Sequence, residues 1–250
     1  MDARTGILTR VAGTGEKGFS GDGGPATSAR LFMPGGIAID TKGSLYIADL
    51  VNYRARKVAV NGIITTIAGN GHCGSTDDSG RAVDAELCWP QDVAVDAAGN
   101  VYVAGQTVAR KNGKIRKIGP DSAMTTVAGG GSSVCEDCPA TSIHLTNPTG
   151  LAVDSAGNLL TDDTYNMRVL RVAPDGLVRS IAGGHIDDPL THVPGLDAVA
   201  VDAGGNIYVA DRLRIRRLEP SGMATTVAGR GRVFLETVDL PQPRHRPAAG

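Results

Sequence analysis

The apolar and polar positions of this chain form short runs of β-strand character, and the same set of runs recurs four times. The clearest copy covers residues 34–69 and contains four such runs, at residues 36–40, 44–49, 54–60 and 63–69. Asn61 and Gly62 stand between the last two runs and are typical of a hairpin turn, because both residue types tolerate positive φ. The pattern predicts four short antiparallel strands joined by turns.

Three further copies follow, at residues 90–129, 148–183 and 196–229. In every copy the first run ends on an aspartate, and these residues are Asp40, Asp96, Asp154 and Asp202. Their spacing of about 50 residues is in the range of repeat architectures. Because the acid recurs in every copy, we assign it a structural role in fixing the turn that follows.

The repeat unit predicts the architecture. A single small four-stranded sheet cannot bury both of its faces, whereas copies stacked around an axis can, as in a β-propeller. A β-solenoid is the alternative, but its turns are much shorter than this unit. We therefore predict an all-β fold, a β-propeller with four full four-stranded blades, in a domain of residues 1–231. Residues 5–13 match only the closing strand of a blade and are predicted to form an orphan N-terminal strand, and residues 232–250 a partly disordered tail.

Several recurring pieces carry a resemblance to a known family. The pieces P-x-G-[IVL]-A-[VI]-D, G-N-[LVI]-Y-[VI]-A-D and [RK]-x-[RK]-K-[VI] resemble NHL repeats, and together they extend over residues 5–231. Residues 13–34, GTGEKGFSGDGGPATSARLFMP, resemble the long loop between blades in a bacterial NHL subgroup. The resemblance implies a propeller whose blades each have four strands. NHL propellers commonly have more than four such blades. It implies little about function, because one propeller fold serves many proteins.

The composition narrows the function classes. The net charge is −1 at pH 7, which argues against a dominant role in binding nucleic acid or anionic membranes. No apolar run reaches the length of a membrane span, and residues 1–13 lack the apolar core of a signal peptide. Only 4% of the residues are aromatic, so we expect a core of Val, Ile, Leu and Ala. The localisation stays open, and it is extracytoplasmic if the chain belongs to a longer exported protein.

The four cysteines lie in two of the loops between predicted blades. Cys73 and Cys88 are near the two ends of one loop and are candidates for a disulfide that closes it. Cys135 and Cys138 in the next loop are compatible with a mutual disulfide, with free thiols or with a metal site. A zinc site made of all four would need both loops to converge, and the spacing lacks the paired C-x-x-C motifs of zinc ribbons.

The candidate binding residues all lie in the loops between blades, which are expected to gather at one end of the propeller. They are Asp22, His72, Asp78, His144, His185 and His192. Histidines at one end invite comparison with propeller lyases that hold a metal through several blades, but these occupy different positions within their loops. Asp22 belongs to a Gly-Asp-Gly-Gly segment, for which we favour a turn over a calcium site, since calcium requires several oxygen ligands. We predict no catalytic residue, no metal and no cofactor.

Charged residues also recur inside the blades. Asp49 and Arg54 match Asp163 and Arg168, and each pair is predicted to join the second and third strands of its blade. Basic residues occupy similar places in all the third strands and predict a solvated basic band around the propeller, without one nucleic-acid-binding patch. They are Arg56, Lys57, Arg116, Lys117, Arg171, Arg216 and Arg217.

Two classes of function fit these observations. The first is a non-catalytic binding or sensing propeller that presents the loops between blades to an unknown protein, peptide, glycan or small ligand. NHL propellers of similar kind occur as sensor domains of bacterial Ser/Thr kinases, although this chain has no kinase motif. The second is a metal-dependent propeller enzyme, lyase or lactonase-like, and a fragment of a larger exported NHL protein is a further alternative. We favour binding, because active sites break repeat symmetry and the recurring acids keep it.

Overall fold

The computed structural model describes residues 6–75, 78, 80–108, 112–183, 196–211 and 213–229. These residues form seventeen strands and five short 3-10 turns, without an α-helix among them. In chain order the strands are β1 (Pro34–Ile39), β2 (Leu45–Asp49), β3 (Arg54–Val58), β4 (Ile64–Ala68), β5 (Asp92–Val95), β6 (Val101–Gln106), β7 (Gly113–Ile118), β8 (Met124–Gly129), β9 (Cys138–Pro139), β10 (Leu151–Val153), β11 (Leu159–Asp163), β12 (Arg168–Val172), β13 (Leu177–Gly183), β14 (Leu196–Val201), β15 (Ile207–Asp211), β16 (Ile215–Leu218) and β17 (Ala224–Ala228). The 3-10 turns are Ala26–Ser28, Leu50–Asn52, Ala82–Asp84, Ala140–Ser142 and Thr164–Asn166.

The strands form four antiparallel sheets, and the predicted propeller of four-stranded blades is confirmed. Blade one is β1–β4, blade two β5–β8, blade three β10–β13 and blade four β14–β17. The first strands β1, β5, β10 and β14 pack against one another from blade to blade and therefore lie innermost. β9 adds a short fifth strand to the outer edge of blade three, beside β13.

Aliphatic side chains fill the spaces between neighbouring blades, as the low aromatic content predicts. Blades one and two enclose a cluster that includes Ala48, Val93 and Val103, and blade three meets blade four through Leu160 and Val199. The third main cluster joins blades two and three. Each cluster combines residues of two sheets, so the blades stabilise one another through burial of apolar surface.

Glycine ends every closing strand because the chain turns there in a left-handed conformation. Gly69, Gly129, Gly183 and Gly229 have φ between +77° and +91°. A Cβ atom at any of the four would overlap the backbone of the residues just before or at the start of the third strand, such as the carbonyl of Tyr53 beside Gly69. The recurring Ala-Gly is thus a requirement of the fold.

The predicted orphan strand at residues 5–13 is not formed within the described residues. Residues 6–13 have no strand conformation, and Ile7, Leu8 and Val11 are more than half exposed. Gly13 instead donates its backbone N–H to Ala26 O in the following loop. The predicted tail at residues 232–250 lies outside the described residues.

Two blade faces carry exposed apolar side chains at positions that are buried elsewhere in the propeller. Ile37 of β1 is 62% exposed, whereas its equivalents Val93, Leu151 and Val199 are 2–6% exposed. On blade four, Ile215 is 42% exposed, while the matching positions of the other blades are buried. Among the described residues no helix is long and apolar enough to cross a membrane.

Candidate functional site

The loops between blades meet the propeller at one end, which we call the loop face. Here the first strands begin and the second strands end, as the pairing of Pro34 with Asp49 and of Leu196 with Asp211 shows. Loop one is residues 13–33, loop two residues 69–89 and loop three residues 129–147. Each loop runs over the outer edge of the blade that follows it, through the pairs Pro25–Ile63 and Arg81–Ala123 and through β9 on β13.

Buried arginines hold loops one and two against their blades. Arg56 of β3 is 0% exposed and lies 2.8 Å from the carboxylate of Asp22 in loop one. Thr66 donates a second hydrogen bond, of 2.7 Å, to the other oxygen of Asp22. In blade two, Arg116 and Asp78 repeat this arrangement at 2.6 Å. The two predicted binding residues Asp22 and Asp78 therefore have internal partners in the fold.

The predicted basic band is wrong for two of its members. Arg56 and Arg116 are buried beneath loops one and two, because an aspartate in each loop provides the opposite charge that a buried guanidinium requires. Phe19 of loop one also covers the Arg56 guanidinium, with 4.8 Å between its carbon and the ring centre. Arg171 of β12, by contrast, is exposed as predicted.

Blade three lacks this arrangement. Leu170 occupies the position of Arg56 and Arg116 and is 1% exposed. Loop three is held instead by Glu136, which accepts a 2.7 Å hydrogen bond from Ser180 N, and by the ion pair of Asp137 with Arg179 at 2.6 Å. The Arg179 guanidinium lowers the pKa of the Asp137 carboxyl. Loop three is therefore attached without a buried arginine, through these exposed contacts and through its buried apolar residues Ala140, Ile143 and Leu145.

Both cysteine pairs form disulfides. Cys73 is bonded to Cys88 within loop two, and Cys135 to Cys138 within loop three. The first bond closes a loop of 15 residue steps and the second a loop of only three. The described residues contain no free cysteine and no group of three His, Cys, Asp or Glu side chains close enough to bind a metal ion.

The histidines of the predicted constellation can be placed only in part. His72 is exposed in loop two, where its backbone N–H donates to Asn70 Oδ1. His144 is half-buried near the end of loop three. His185 and His192 lie outside the described residues, so a joint role of the four histidines stays a prediction.

The recurring aspartates accept hydrogen bonds from the turn after each first strand. Asp40 Oδ1 accepts from the backbone N–H groups of Lys42 and Ser44, and its other oxygen accepts from the Tyr46 hydroxyl. Asp96, Asp154 and Asp202 make the same turn, with an added bond from the asparagine four residues later. Burial alone would raise the pKa of Asp40, but these hydrogen bonds lower it.

The predicted Asp–Arg pairs differ between blades. In blade three, Asp163 binds Arg168 directly, at 2.9 Å from Nε and from a terminal nitrogen.

In blade one, Asp49 instead lies 3.4 Å from Arg56 and accepts the Phe32 N–H. Arg54 donates to the carbonyl oxygens of Asn52 and Asn70 and stacks on Phe19. The buried Arg56 takes the place of Arg54 as the cation of Asp49, a correction to the pairing predicted from the repeat.

A polar group near the propeller axis breaks the repeat symmetry. We call it the axial cluster, and it consists of Asp92, Thr149, Asp162 and Thr164. Asp92 is at the start of β5, where blades one, three and four have Gly36, Gly150 and Ala198, and Asp162 of β11 replaces an alanine of the other blades. The cluster therefore places two carboxylates at positions that are otherwise small and apolar.

Hydrogen bonds organise the axial cluster across two blades. Asp92 of blade two accepts the Leu151 N–H of blade three at 2.7 Å. Asp162, 0% exposed, accepts the Thr149 N–H at 2.8 Å, the Gly150 N–H at 2.5 Å and the Thr164 hydroxyl at 2.8 Å, and also contacts the Thr149 hydroxyl. Asp92 thus connects the inner strands of blades two and three, whereas Asp162 connects the start of blade three to its second strand.

Burial perturbs the acid–base properties of this cluster. It raises the pKa of Asp92 to about 6, and the nearby charge of Asp162 acts in the same direction. Burial also raises the pKa of Asp162, against the hydrogen bonds from Thr149, Gly150 and Thr164. Two carboxylates with raised pKa values near the axis make the axial cluster a candidate functional site.

Comparison with known protein families shows to which family this chain belongs. The family model of the teneurin NHL domain matches residues 8–77 and 70–195, which is more than half of the chain. The chain belongs to the teneurin NHL domain family. This confirms the NHL resemblance that the repeat motifs indicated.

The curated relatives are teneurins. Mouse teneurin-3 is 30% identical over 249 residues, which cover 82% of this chain and 9% of the relative. Human teneurin-1 is 29% identical over 258 residues, covering 93% of this chain and 9% of the relative. The chain therefore spans about a tenth of the length of the teneurins that it matches.

Solved propellers share the fold at low identity. A streptogramin B lyase superposes with a TM-score of 0.51 at 12% identity, covering 77% of this chain and 53% of the lyase. A putative gluconolactonase gives a TM-score of 0.55 at 19% identity, covering 77% of this chain and 62% of the other. At such identities the similarity shows the propeller fold alone.

Sequence analysis of this teneurin NHL chain missed the axial cluster, although a signal for it was present. When the repeats are aligned column by column, Asp92 stands against two glycines and an alanine, and Asp162 against three alanines. The columns that agree between blades predict the shared fold, and they do not contain this signal. In a repeat protein, the differing columns are where a function particular to one blade is found.

Proposed function

We propose that this chain is a non-catalytic recognition propeller of a teneurin-like protein and that its loop face contacts the ligand around the axial cluster. The observation that carries the proposal is the break in symmetry at Asp92 and Asp162. The recurring aspartates hold turns in every blade, whereas these two are particular to blades two and three. A surface that serves one ligand is expected to differ from blade to blade in this way, and so is an active site. Recognition is favoured over catalysis because both carboxylates are already occupied by hydrogen bonds from backbone N–H groups and, for Asp162, from the Thr164 hydroxyl.

The attachment of the loops supports a binding role. Loops one and two are anchored by Asp22 and Asp78, which pair with the buried arginines Arg56 and Arg116, and loop two is also closed by Cys73–Cys88. Anchored loops lose little conformational entropy when a ligand binds, so more of the contact energy appears as affinity.

The groups around the axis indicate what the ligand offers. Asp197, next to Leu196 on β14, is exposed, and Gln91, next to Asp92, is half-buried. Thr149 lies in the same column of the repeat, and its hydroxyl approaches Leu196 O at 3.5 Å. Carboxylate and amide oxygens accept hydrogen bonds. We therefore expect a peptide, glycan or small ligand that presents N–H or O–H donors.

The two disulfides indicate in which cellular compartment the protein works. Disulfides persist in oxidising environments and are rare in the cytosol. We accordingly propose that this propeller works outside the cytoplasm, as part of a longer exported chain.

The test is a binding screen of the 250-residue chain on peptide and glycan arrays, with two variants. Asp197→Lys reverses an exposed charge beside the axial cluster. Lys42→Glu reverses an exposed charge in the turn after β1, at the opposite end of the propeller, and is the matched control. We expect ligands of the unmodified chain to lose at least about tenfold in affinity with Asp197→Lys, about 1.4 kcal/mol, and to be unaffected by Lys42→Glu.

Either of two results would contradict the proposal. One is an equal or larger loss with Lys42→Glu, which would move the ligand to the opposite face. The other is an array with no ligand for the unmodified chain, which would remove peptides and glycans as the recognised class.

A further inference from the structure

The Cys135–Cys138 disulfide lies where loop three meets the outer edge of blade three. Cys138 belongs to β9 and pairs with Val178 of β13. Only Glu136 and Asp137 separate the two cysteines, so the bond closes a C-x-x-C segment. This spacing brings both sulfurs to the same short turn, and C-x-x-C pairs are the form in which protein dithiols commonly exchange with other thiols.

The two disulfides of the chain differ in how well they can release a thiolate. Cys135 and Cys138 are both partly exposed residues that pack against the edge of the apolar cluster between blades two and three. Cys88 is 2% exposed. Attack at Cys73 would leave a thiolate on Cys88 in an apolar environment, which disfavours the charge, and Cys88 itself is shielded from an incoming thiol.

A hydroxyl group stands beside both sulfurs of the loop-three bond. Ser142 Oγ is 4.0 Å from Cys135 Sγ and 3.8 Å from Cys138 Sγ. It also lies 2.7 Å from Pro139 O, to which it donates. A rotation of the hydroxyl proton would let Ser142 stabilise a thiolate on either cysteine.

The surface next to Cys135 leaves room for an attacking group. A hollow of about 450 Å³ is lined by Val134, Cys135, Glu136, Arg168 and Ser180, among other residues. Val134 is 81% exposed at its rim. A thiol on a small molecule or on an extended protein loop can approach Cys135 from this side.

We propose that Cys135–Cys138 is a thiol–disulfide exchange site, reduced by a dithiol while Cys73–Cys88 stays closed. A thiolate of the dithiol attacks one sulfur of the pair, the Cys135–Cys138 bond breaks, and a mixed disulfide and a protein thiolate form. The second thiol of the reductant then attacks the mixed disulfide. The products are the cyclic disulfide of the reductant and two protein thiols, with the two protons of the reductant transferred to the cysteines.

Reduction has a structural consequence particular to this loop. Loop three lacks the buried Arg–Asp pair that holds loops one and two, since blade three has Leu170 in place of the arginine. Its remaining attachments include the β9–β13 pairing and the exposed contacts of Glu136 and Asp137. Opening the disulfide therefore loosens the turn that carries these contacts, while the four strands of blade three keep their own pairing.

The experiment uses the oxidised 250-residue chain in buffers of increasing reduced-to-oxidised dithiothreitol ratio. After equilibration the samples are quenched with acid and alkylated with N-ethylmaleimide, and each cysteine pair is quantified by mass spectrometry. We expect Cys135–Cys138 to be half reduced at a ratio at least about 10-fold lower than Cys73–Cys88. Hydrogen exchange at that ratio should rise at the Ser180 N–H of β13, which donates to Glu136 of loop three, and remain unchanged in β7.

Two variants separate this proposal from simple exposure. Ser142→Ala should slow the reduction of Cys135–Cys138 without altering that of Cys73–Cys88, and Cys73→Ser/Cys88→Ser should leave the loop-three midpoint unchanged. Equal midpoints for the two pairs, or earlier reduction of Cys73–Cys88, would overturn the proposal. An unchanged rate in Ser142→Ala would remove the role of the hydroxyl.

Discussion

Single residues decide how the loops of this propeller are attached. Arg56 and Arg116 stand in third strands, where the repeat pattern predicts exposed basic side chains, yet both are buried. Each has a loop aspartate as its partner, and Arg56 also reaches the Ser20 carbonyl at 3.1 Å. A charge removed from water needs such partners, so loop and blade depend on each other.

Removing one of these arginines should therefore destabilise the fold. We expect Arg56→Met to lower the free energy of unfolding by about 3 kcal/mol, because Asp49 is left buried without its cation and Asp22 loses its anchor. The measurement is urea denaturation at pH 7. The control is Arg171→Met, an exposed position on β12, for which the change should stay below about 0.5 kcal/mol. Equal effects in the two variants would contradict a specific role of the buried pair.

Asp92 should give the stability a distinct pH dependence. Its pKa in the folded chain is about 6, against 3.8 for an unperturbed aspartate. Between these values the folded state holds a proton that the unfolded state has lost, so the stabilisation is complete below about pH 4 and is lost as the pH rises through 6. Asp92→Asn cannot ionise and should lack this loss.

The comparison of interest is therefore between the chain and its Asp92→Asn variant at several pH values. We expect the difference in unfolding free energy to move by about 2 kcal/mol in favour of the variant between pH 4 and pH 7. Urea denaturation at pH 4, 5, 6 and 7 measures it. The exposed Asp197→Asn is the control and should run parallel to the unmodified chain. Parallel profiles for Asp92→Asn as well would contradict the raised pKa.

At the scale of elements, the turn between the first and second strands is the most regular feature of the repeat. An aspartate accepts hydrogen bonds from two backbone N–H groups of the turn in all four blades. In blades one, two and four a tyrosine hydroxyl adds another bond. Blade three has Leu160 in that column and lacks this bond.

This difference allows the hydrogen bond of the tyrosine to be measured. We expect Asp96→Ala to lower the free energy of unfolding by about 1 kcal/mol more than Asp154→Ala does. Of these two aspartates, only Asp96 accepts a hydrogen bond from a tyrosine, that of Tyr102 at 3.2 Å. Thermal or urea denaturation of the two single variants gives the comparison. In a Tyr102→Phe background the excess should vanish, and an excess that persists would have another origin.

At the scale of the whole molecule, the two exposed blade faces influence association. Ile37 and Ile39 of β1 are 62% and 65% exposed, and blade four exposes Ile215 and Val227. The matching positions in the interior of the propeller are covered by a neighbouring blade. Contiguous exposed apolar surface of this kind is typical of a surface that meets another protein segment.

We expect the 250-residue chain to self-associate through these faces. Ile37→Lys/Ile39→Lys should raise the monomer fraction in sedimentation velocity at the same protein concentration, because charged side chains resist burial. The control is Val60→Lys, a single apolar side chain that is 72% exposed in the turn after β3. A monomeric unmodified chain, or an equal shift with Val60→Lys, would contradict the expectation.

The class of fold follows from the sequence alone. Runs of strand character, a repeat of about 50 residues and recurring turn residues leave few architectures that bury every sheet, and a propeller is the one that fits the unit. The role of Asp40, Asp96, Asp154 and Asp202 in their turns was also accessible, because it depends on residues within five or six positions along the chain. Local interactions of this kind are written in the local sequence.

Which charges are buried, and which partners they bind, depends on the packing of loops and blades. Asp22 lies 34 positions from Arg56, and Asp92 lies 59 positions from the Leu151 N–H that it accepts. Partners so far apart are chosen by how loops and blades pack, which a single strand pattern does not contain. Residues 6–13 likewise have the side chains of a strand without its backbone conformation, which the local sequence does not reveal.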